Sequence, residues 1–239
     1  MLKVFIGYDH RQAISINVLI HSLMEHTSIP LQIIPLKLET LPFKRQGLTP
    51  FTYSRFLVPW LCEFEGAALF LDADILCTTD IRSLVDEVNG QQCAVAVCNT
   101  KPEYERAAVM FFNCSHPDNQ KLTPDYLETT KDKLHLISWT EAIHWMPNRF
   151  NYLVGYDDPA WCQGKTPALI HYTKGVPAWA ETDKCDFADH WHKARAGAFI
   201  PAASWGTLMG HSKHATEGPG GVTIPAPRVP DAVLPSQRA

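Results

Sequence analysis

The segment Ala67-Ala68-Leu69-Phe70-Leu71-Asp72-Ala73-Asp74-Ile75-Leu76-Cys77 constrains the fold more than any other part of the chain. Unbroken apolar side chains up to Leu71 suit a strand buried on both faces. The run then meets two carboxylates separated by one small residue. Removing carboxylates from water is costly unless something offsets their charge. A hard divalent cation does so, because it prefers oxygen ligands. The pattern points to a metal-dependent enzyme acting on a phosphorylated substrate. An isolated Asp-x-Asp also arises where an Asp caps a following helix, so the weight rests on the strand ahead of it and on other segments.

At 239 residues the chain fits one large domain or two small ones. A hydrophobic fraction of 46% is ample for a core, and a formal net charge of -4 leaves no basic footprint for nucleic acid. No apolar run reaches the roughly 18 residues that cross a membrane, and nothing after Lys3 resembles a signal peptide. The 7 cysteines are odd in number, lack a Cys-x-x-Cys spacing and sit mostly in apolar runs. Reduced core thiols and a cytoplasmic compartment are the expectation.

Strands are expected over 2–8, 31–38, 67–77, 93–98, 107–114 and 169–172. Residues 11–25 place Ile14, Val18, Leu19 and Leu23 at helical spacing. Residues 52–64 read as a helix with Thr52 at its N-cap and a kink at Pro59, 80–88 as a helix capped by Thr79 or Asp80, and 186–196 as a further helix. Residues 117–133 read as polar surface. From about Gly206 glycine and proline dominate, so 206–239 is expected to be a flexible tail behind a single domain over 1–205. The strand–helix alternation gives an α/β class with helices on both faces of the sheet. Ligands bind such sheets at the carboxyl ends of strands, so Asp9 and the Asp72/Asp74 pair would open onto one crevice.

The segment His171-Tyr172-Thr173-Lys174-Gly175-Val176-Pro177-Ala178-Trp179 also starts at a strand end. His171 there can add an imidazole nitrogen to the two acids, a mixed donor set that suits manganese. Lys174 offers a point charge to a diphosphate and Gly175 a close backbone approach.

Six segments carry a family resemblance in order along 1–196: Phe5-Ile6-Gly7-Tyr8-Asp9, Thr52-Tyr53-Ser54-Arg55-Phe56-Leu57, Leu69-Phe70-Leu71-Asp72-Ala73-Asp74, Val109-Met110-Phe111-Phe112-Asn113, Met146-Pro147-Asn148-Arg149-Phe150-Asn151 and His171 to Trp179. The chain resembles the glycosyltransferases of the GT-A fold, nearest to glycosyltransferase family 8 and its bacterial relatives. It departs from them in the closing segment, where Thr173 and Lys174 precede Gly175 and Ala178 separates Pro177 from Trp179.

The resemblance implies a Rossmann-like mixed sheet flanked by helices and a Pro/Gly-rich C-terminal tail. By the same resemblance, about 1–115 of the domain would be the nucleotide-binding half and 116–205 the acceptor-side half. It implies transfer of a sugar from a nucleotide-sugar donor, a UDP-sugar, to a saccharide or glycan acceptor, with retention and with Mn²⁺ or Mg²⁺ as cofactor. Asp72, Asp74 and His171 would hold the metal. Gly7, Tyr8 and Asp9 would hold the nucleoside. Arg55, Asp72, Ala73, Asn113, Lys174 and Gly175 would complete the donor site. Glu141 stands where related enzymes carry an acid or amide near the donor sugar. Asp72, Asp74 and Glu141 are the catalytic candidates. Envelope polysaccharide assembly, with peripheral association at the inner face of a membrane, is the implied setting. A sugar-phosphate nucleotidyltransferase and a non-catalytic nucleotide-sugar-binding protein are the rival readings. The first lacks its Gly-rich loop at Tyr8-Asp9-His10-Arg11.

Overall fold

Nine strands and six helices make up residues 1–199, the part of the chain that the computed structural model describes. In chain order these are β1 (Leu2–Gly7), α1 (Ala13–His26), β2 (Leu31–Leu36), α2 (Phe51–Ser54), α3 (Val58–Leu61), β3 (Ala67–Leu71), β4 (Ile75–Cys77), α4 (Arg82–Val88), β5 (Val95–Cys98), β6 (Val109–Asn113), α5 (Pro124–Thr129), β7 (Ile143–Met146), β8 (Tyr152–Leu153), β9 (Leu169–His171) and α6 (Ala188–Ala198). Met1–Arg195 packs as one unit. The expected tail over 206–239 lies outside the described residues.

The large sheet has the order β2-β1-β3-β6-β5-β7 and a small one the order β4-β9-β8. Strands β1, β2, β3, β5 and β7 of the large sheet share one direction, and β6 runs against them. Strands β1, β3, β5 and β6 are almost wholly buried, which is why they read as unbroken apolar runs and not as alternations. Helix α1 buries Val18, Leu19 and Leu23. It is tied to β4 through Ser22, whose Oγ donates to Leu19 O (2.9 Å) and accepts from Cys77 N (3.1 Å).

The 67–77 run is two strands. The chain leaves the large sheet at Leu71, turns through Asp72-Ala73-Asp74 and enters the small sheet at Ile75, opposite His171. Two carboxylates cannot continue a strand buried on both faces, so the chain changes sheets where they occur. The 52–64 segment is also divided: α2, a 3-10 turn at Arg55–Leu57, then α3. Proline lacks the N–H for an interior helical bond but fits a first turn. Pro59 accordingly sits at the start of α3. Thr52 lies inside α2 and is not its cap. Its Oγ1 accepts from Thr49 N at 2.9 Å. Asp80 precedes α4 and accepts from Arg82 N at 3.0 Å.

Residues 117–133 are less superficial than their polarity implies, with Asn119, Leu122 and Leu127 buried. The Asn119 amide donates to Ala94 O and Asn113 O, both at 2.8 Å, and accepts from Trp139 Nε1 at 3.0 Å. All 7 cysteines are free thiols, and Cys62, Cys77, Cys93, Cys98 and Cys114 are buried. Among the described residues no helix is long and apolar enough to cross a membrane.

Gly7 closes β1 against the ring of Phe51, where an added Cβ would stand 2.4 Å from Cδ2 and 2.6 Å from Cγ. Phe51 is itself buried, so its ring has little free space to move into. Gly7→Ala is therefore expected to destabilise the fold by about 1–3 kcal/mol, the usual penalty of overpacking. Chemical unfolding of the variant measures this, and an unchanged midpoint would show that the ring yields freely.

Candidate active site

The switch between the sheets assembles the most charged part of the interior. Asp72 still belongs to the large sheet through its N–H, bonded to Ala108 O at 2.9 Å. Its carboxylate is buried against Arg55. Nη1 of Arg55 lies 2.9 Å from Oδ1 and 3.1 Å from Oδ2, and it also donates to Ala107 O at 2.9 Å. Nε of Arg55 reaches Phe51 O at 3.3 Å. Asp72 Oδ1 is fully enclosed yet makes no well-angled hydrogen bond, despite its closeness to Nη1.

Asp74 belongs to the small sheet, its carbonyl accepting from Tyr172 N at 3.0 Å. Its Oδ1 stands 3.3 Å from Nε2 of His171, which is 2% exposed at the end of β9. Nδ1 of His171 is 3.1 Å from Asn151 Oδ1. Glu105 approaches from the turn ahead of β6, with Oε2 4.0 Å from His171 Nε2 and Oε1 accepting from Thr173 Oγ1 at 2.5 Å. One ligand atom from each of Asp72, Asp74 and His171 falls within 4.8 Å of the others. The three open on a cleft of about 210 Å³ whose lining also includes Gln12, Thr52, Tyr104 and Glu105.

The charges explain the titration. Burial drives the Asp72 carboxyl upward, the Arg55 guanidinium pulls it back and Asp74 pushes it up again, leaving it at about 7. Burial drives the His171 imidazole downward, but the attraction and hydrogen bond of Asp74 outweigh this and raise it to about 9. The His171 shift describes a carboxylate-rich neighbourhood, and the Asp72 shift chiefly its own burial. Two carboxylates and an imidazole nitrogen, with an enclosed oxygen short of a partner, suit a hard or borderline divalent cation.

The other expected site residues divide. Ala73 is the fully buried spacer between the acids. Asp9 is buried, and its carboxylate accepts from Arg11 N (2.9 Å), Nε (3.0 Å) and Nη2 (2.5 Å). The Arg11 guanidinium holds that carboxyl below its usual range. Tyr8 and Asp9 line a cleft of about 270 Å³ with Lys37, Glu39 and Pro50, next to the one that Gln12, Thr49 and Phe51 line with Asp72 and Asp74. Lys174 is exposed. Its Nζ donates to Gly155 O at 2.7 Å and lies 4.3 Å from the Tyr156 ring centre. Gly175 has φ +112°, a conformation that side chains rarely adopt.

Two expectations are corrected. Asn113 ends β6, but β6 runs antiparallel to β3, so Asn113 pairs with Ala67 at the far end of that strand. Asp72 meets the other end of β6 at Ala108, roughly 16 Å away at strand rise. Glu141 precedes β7, which runs parallel to β5. Ile143 stands in the row Ala68–Phe112–Val95–Ile143, near the start of β3. Glu141 is therefore an exposed residue at the opposite edge of the sheet. The same reversal brings Glu105 to the cleft, because the residue before an antiparallel strand stands beside the residue after its neighbour.

The chain aligns over 221 residues with Protein CDI of Arabidopsis thaliana at 31% identity, covering 79% of this chain and 84% of that protein. The chain belongs to the Protein CDI family. No profile of a known protein family matches it. Among solved structures, the fold of this chain resembles the bifunctional glycosyltransferase WbbM, with a TM-score of 0.63, 15% identity, 82% of this chain covered and 49% of that one. It thus spans about half of the WbbM chain. It also resembles the galactosyltransferase LgtC, solved with donor and acceptor sugar analogues (TM-score 0.56, 14% identity, 86% and 99% covered). The apo glycosyltransferase GlyE of Streptococcus pneumoniae is a further match (TM-score 0.57, 18% identity, 81% and 60% covered). The fold of this Protein CDI relative is GT-A.

Two measurements test this account of the site. Arg55→Met strands a buried carboxylate and is expected to cost about 3–5 kcal/mol of stability, with Asp72→Asn in the same chain restoring part of the loss. An additive double variant would deny the ion pair its coupling. His135 lines the cleft, and burial together with Arg55 depresses its imidazole from 6.5 to about 4. Below pH 6.5 the unfolded chain then binds a proton that the folded one refuses, so this contribution to stability declines as pH falls from 6.5 to about 4. The stability of His135→Phe relative to the parent is expected to rise over that window, by about 2 kcal/mol after allowance for partial exposure. A pH-independent difference would reject the neutral buried imidazole.

Proposed function

We propose that the chain is a glycosyltransferase that moves a sugar from a nucleotide-sugar donor, a UDP-sugar, to a saccharide acceptor with retention, using Mn²⁺ or Mg²⁺. The observation that carries the reading is the convergence of Asp72, Asp74 and His171 where a GT-A sheet passes the chain to a second sheet. The complex of LgtC with donor and acceptor sugar analogues lends support from a protein of the same fold.

Asp74 and His171 would hold the cation with Asp72, which Arg55 keeps oriented. A divalent cation supplies charge neutralisation on a departing diphosphate. Arg55 shares its charge between Asp72 and the Ala107 carbonyl, and so keeps the strand end rigid while the leaving group gains charge. With Glu141 at the other edge, Glu105 is the further carboxylate lining the cleft beside the proposed ligands. Its position suits a hydrogen bond to a hydroxyl of donor or acceptor.

Thermal unfolding against UDP, other nucleoside diphosphates and their sugars, with Mn²⁺ or with EDTA, tests the reading. UDP and one UDP-sugar should stabilise the protein only with metal, by about 2.7 kcal/mol at one hundred times Kd. Asp74→Asn should abolish both that shift and turnover while leaving the apo protein folded. Absence of a shift with every nucleotide, metal present, would overturn the proposal. Binding without turnover on any donor would leave a non-catalytic nucleotide-sugar-binding protein.

A further inference from the structure

Asn151 is fully buried, at the entry to β8, which runs parallel to β9 with Leu153 opposite His171. Its side chain makes two contacts. Nδ2 donates to the backbone carbonyl of Glu105 at 2.9 Å, and Oδ1 stands 3.1 Å from His171 Nδ1. A carbonyl oxygen only accepts, so the amide must present its NH₂ to Glu105 and its oxygen to the imidazole. The reverse orientation would set two oxygens against each other and two donors together whenever Nδ1 is protonated. With Oδ1 facing Nδ1, the imidazole must carry a hydrogen there. The other nitrogen, Nε2, faces Asp74 Oδ1 at 3.3 Å and Glu105 Oε2 at 4.0 Å, on the side of the cleft.

We infer that Asn151 is a positioning residue that locks His171 with Nδ1–H toward the interior and Nε2, the atom a cation would bind in place of a proton, toward the cation site. The inference rests on the metal site proposed above and deepens it. The lock is anchored on the segment that delivers Glu105, so one side chain joins the turn before β6 to the end of β9. A ligand held in one tautomer and one ring orientation loses no freedom when it binds, and loss of such a partner commonly lowers metal affinity by about 10–100-fold. Thr173 steadies the same segment from the other side through its hydroxyl on Glu105.

Calorimetric titration of the full chain with Mn²⁺ tests the role. Asn151→Leu keeps the branched heavy-atom shape and removes both hydrogen bonds, and it should weaken Mn²⁺ by about 10–100-fold. Asn151→Asp retains an oxygen toward Nδ1 and should retain most of the affinity, so that loss in the leucine variant alone marks the acceptor to Nδ1 as the group that matters. If the leucine variant does not fold, nitrogen NMR of the parent with labelled histidine decides, using Cd²⁺ as a diamagnetic stand-in and His171→Ala to assign the signal. A protonated Nδ1 and a metal-bound Nε2 support the inference, and the opposite assignment overturns it. Unchanged Mn²⁺ affinity in Asn151→Leu overturns it while leaving the metal site standing. A parent that binds none of these cations overturns the metal site, and the inference with it.

Discussion

The ion pair between Arg55 and Asp72 is the contact around which the site is arranged. Arg55 comes from a 3-10 turn between two short helices, and its guanidinium reaches Asp72 and the carbonyl of Ala107 while Nε holds Phe51 O. Phe51 and Phe70 stand 5.3 and 5.2 Å from the guanidinium carbon. A buried pair of this kind gains little net stability, because desolvation consumes most of the attraction. What it supplies is geometry. It permits a carboxylate inside the fold and fastens the 51–61 segment to the edge of the sheet where the strands deliver their ends.

With Asp72 answered by Arg55, the remaining balance is uneven. Asp74 and Glu105 both face His171, two carboxylates around one imidazole. The two carboxylates raise that imidazole to about 9 against its burial, whereas Asp72, at about 7, is raised first by its own burial. The Asp9 carboxylate shares none of this, because Arg11 satisfies both its oxygens.

Much of the fold was legible because buried strands leave apolar runs. β1, β3, β5 and β6 are such runs, and α1 has its helical stripe. β7 was not, since its His144 and Trp145 are partly or largely exposed at the sheet edge, and β8 has only two residues. The acids and His171 stood out because charge at the end of an apolar run is conspicuous. Strand direction leaves no such trace. Nothing in Val109-Met110-Phe111-Phe112-Asn113 states that it runs against its neighbours, so Asn113 was assigned to the wrong edge and Glu105 went unseen. Likeness to other sequences points to Glu141, but its own surroundings carry no such signal, and the sheet register puts it elsewhere. Asn151 carried no signal beyond its place in a short motif, since its partners are 46 and 20 residues away along the chain.

The two acids of the Asp-x-Asp pair are neighbours in sequence but citizens of different sheets. Asp72 hangs from β6 through Ala108, and Asp74 from β9 through Tyr172, with only the sealed methyl of Ala73 between them. The site therefore exists only where both sheets are in place. Peel the small sheet away and Asp74 and His171 leave together, while Asp72 stays behind with Arg55. What remains with the large sheet is a single acid paired with Arg55, one of the three groups that converge in the whole fold.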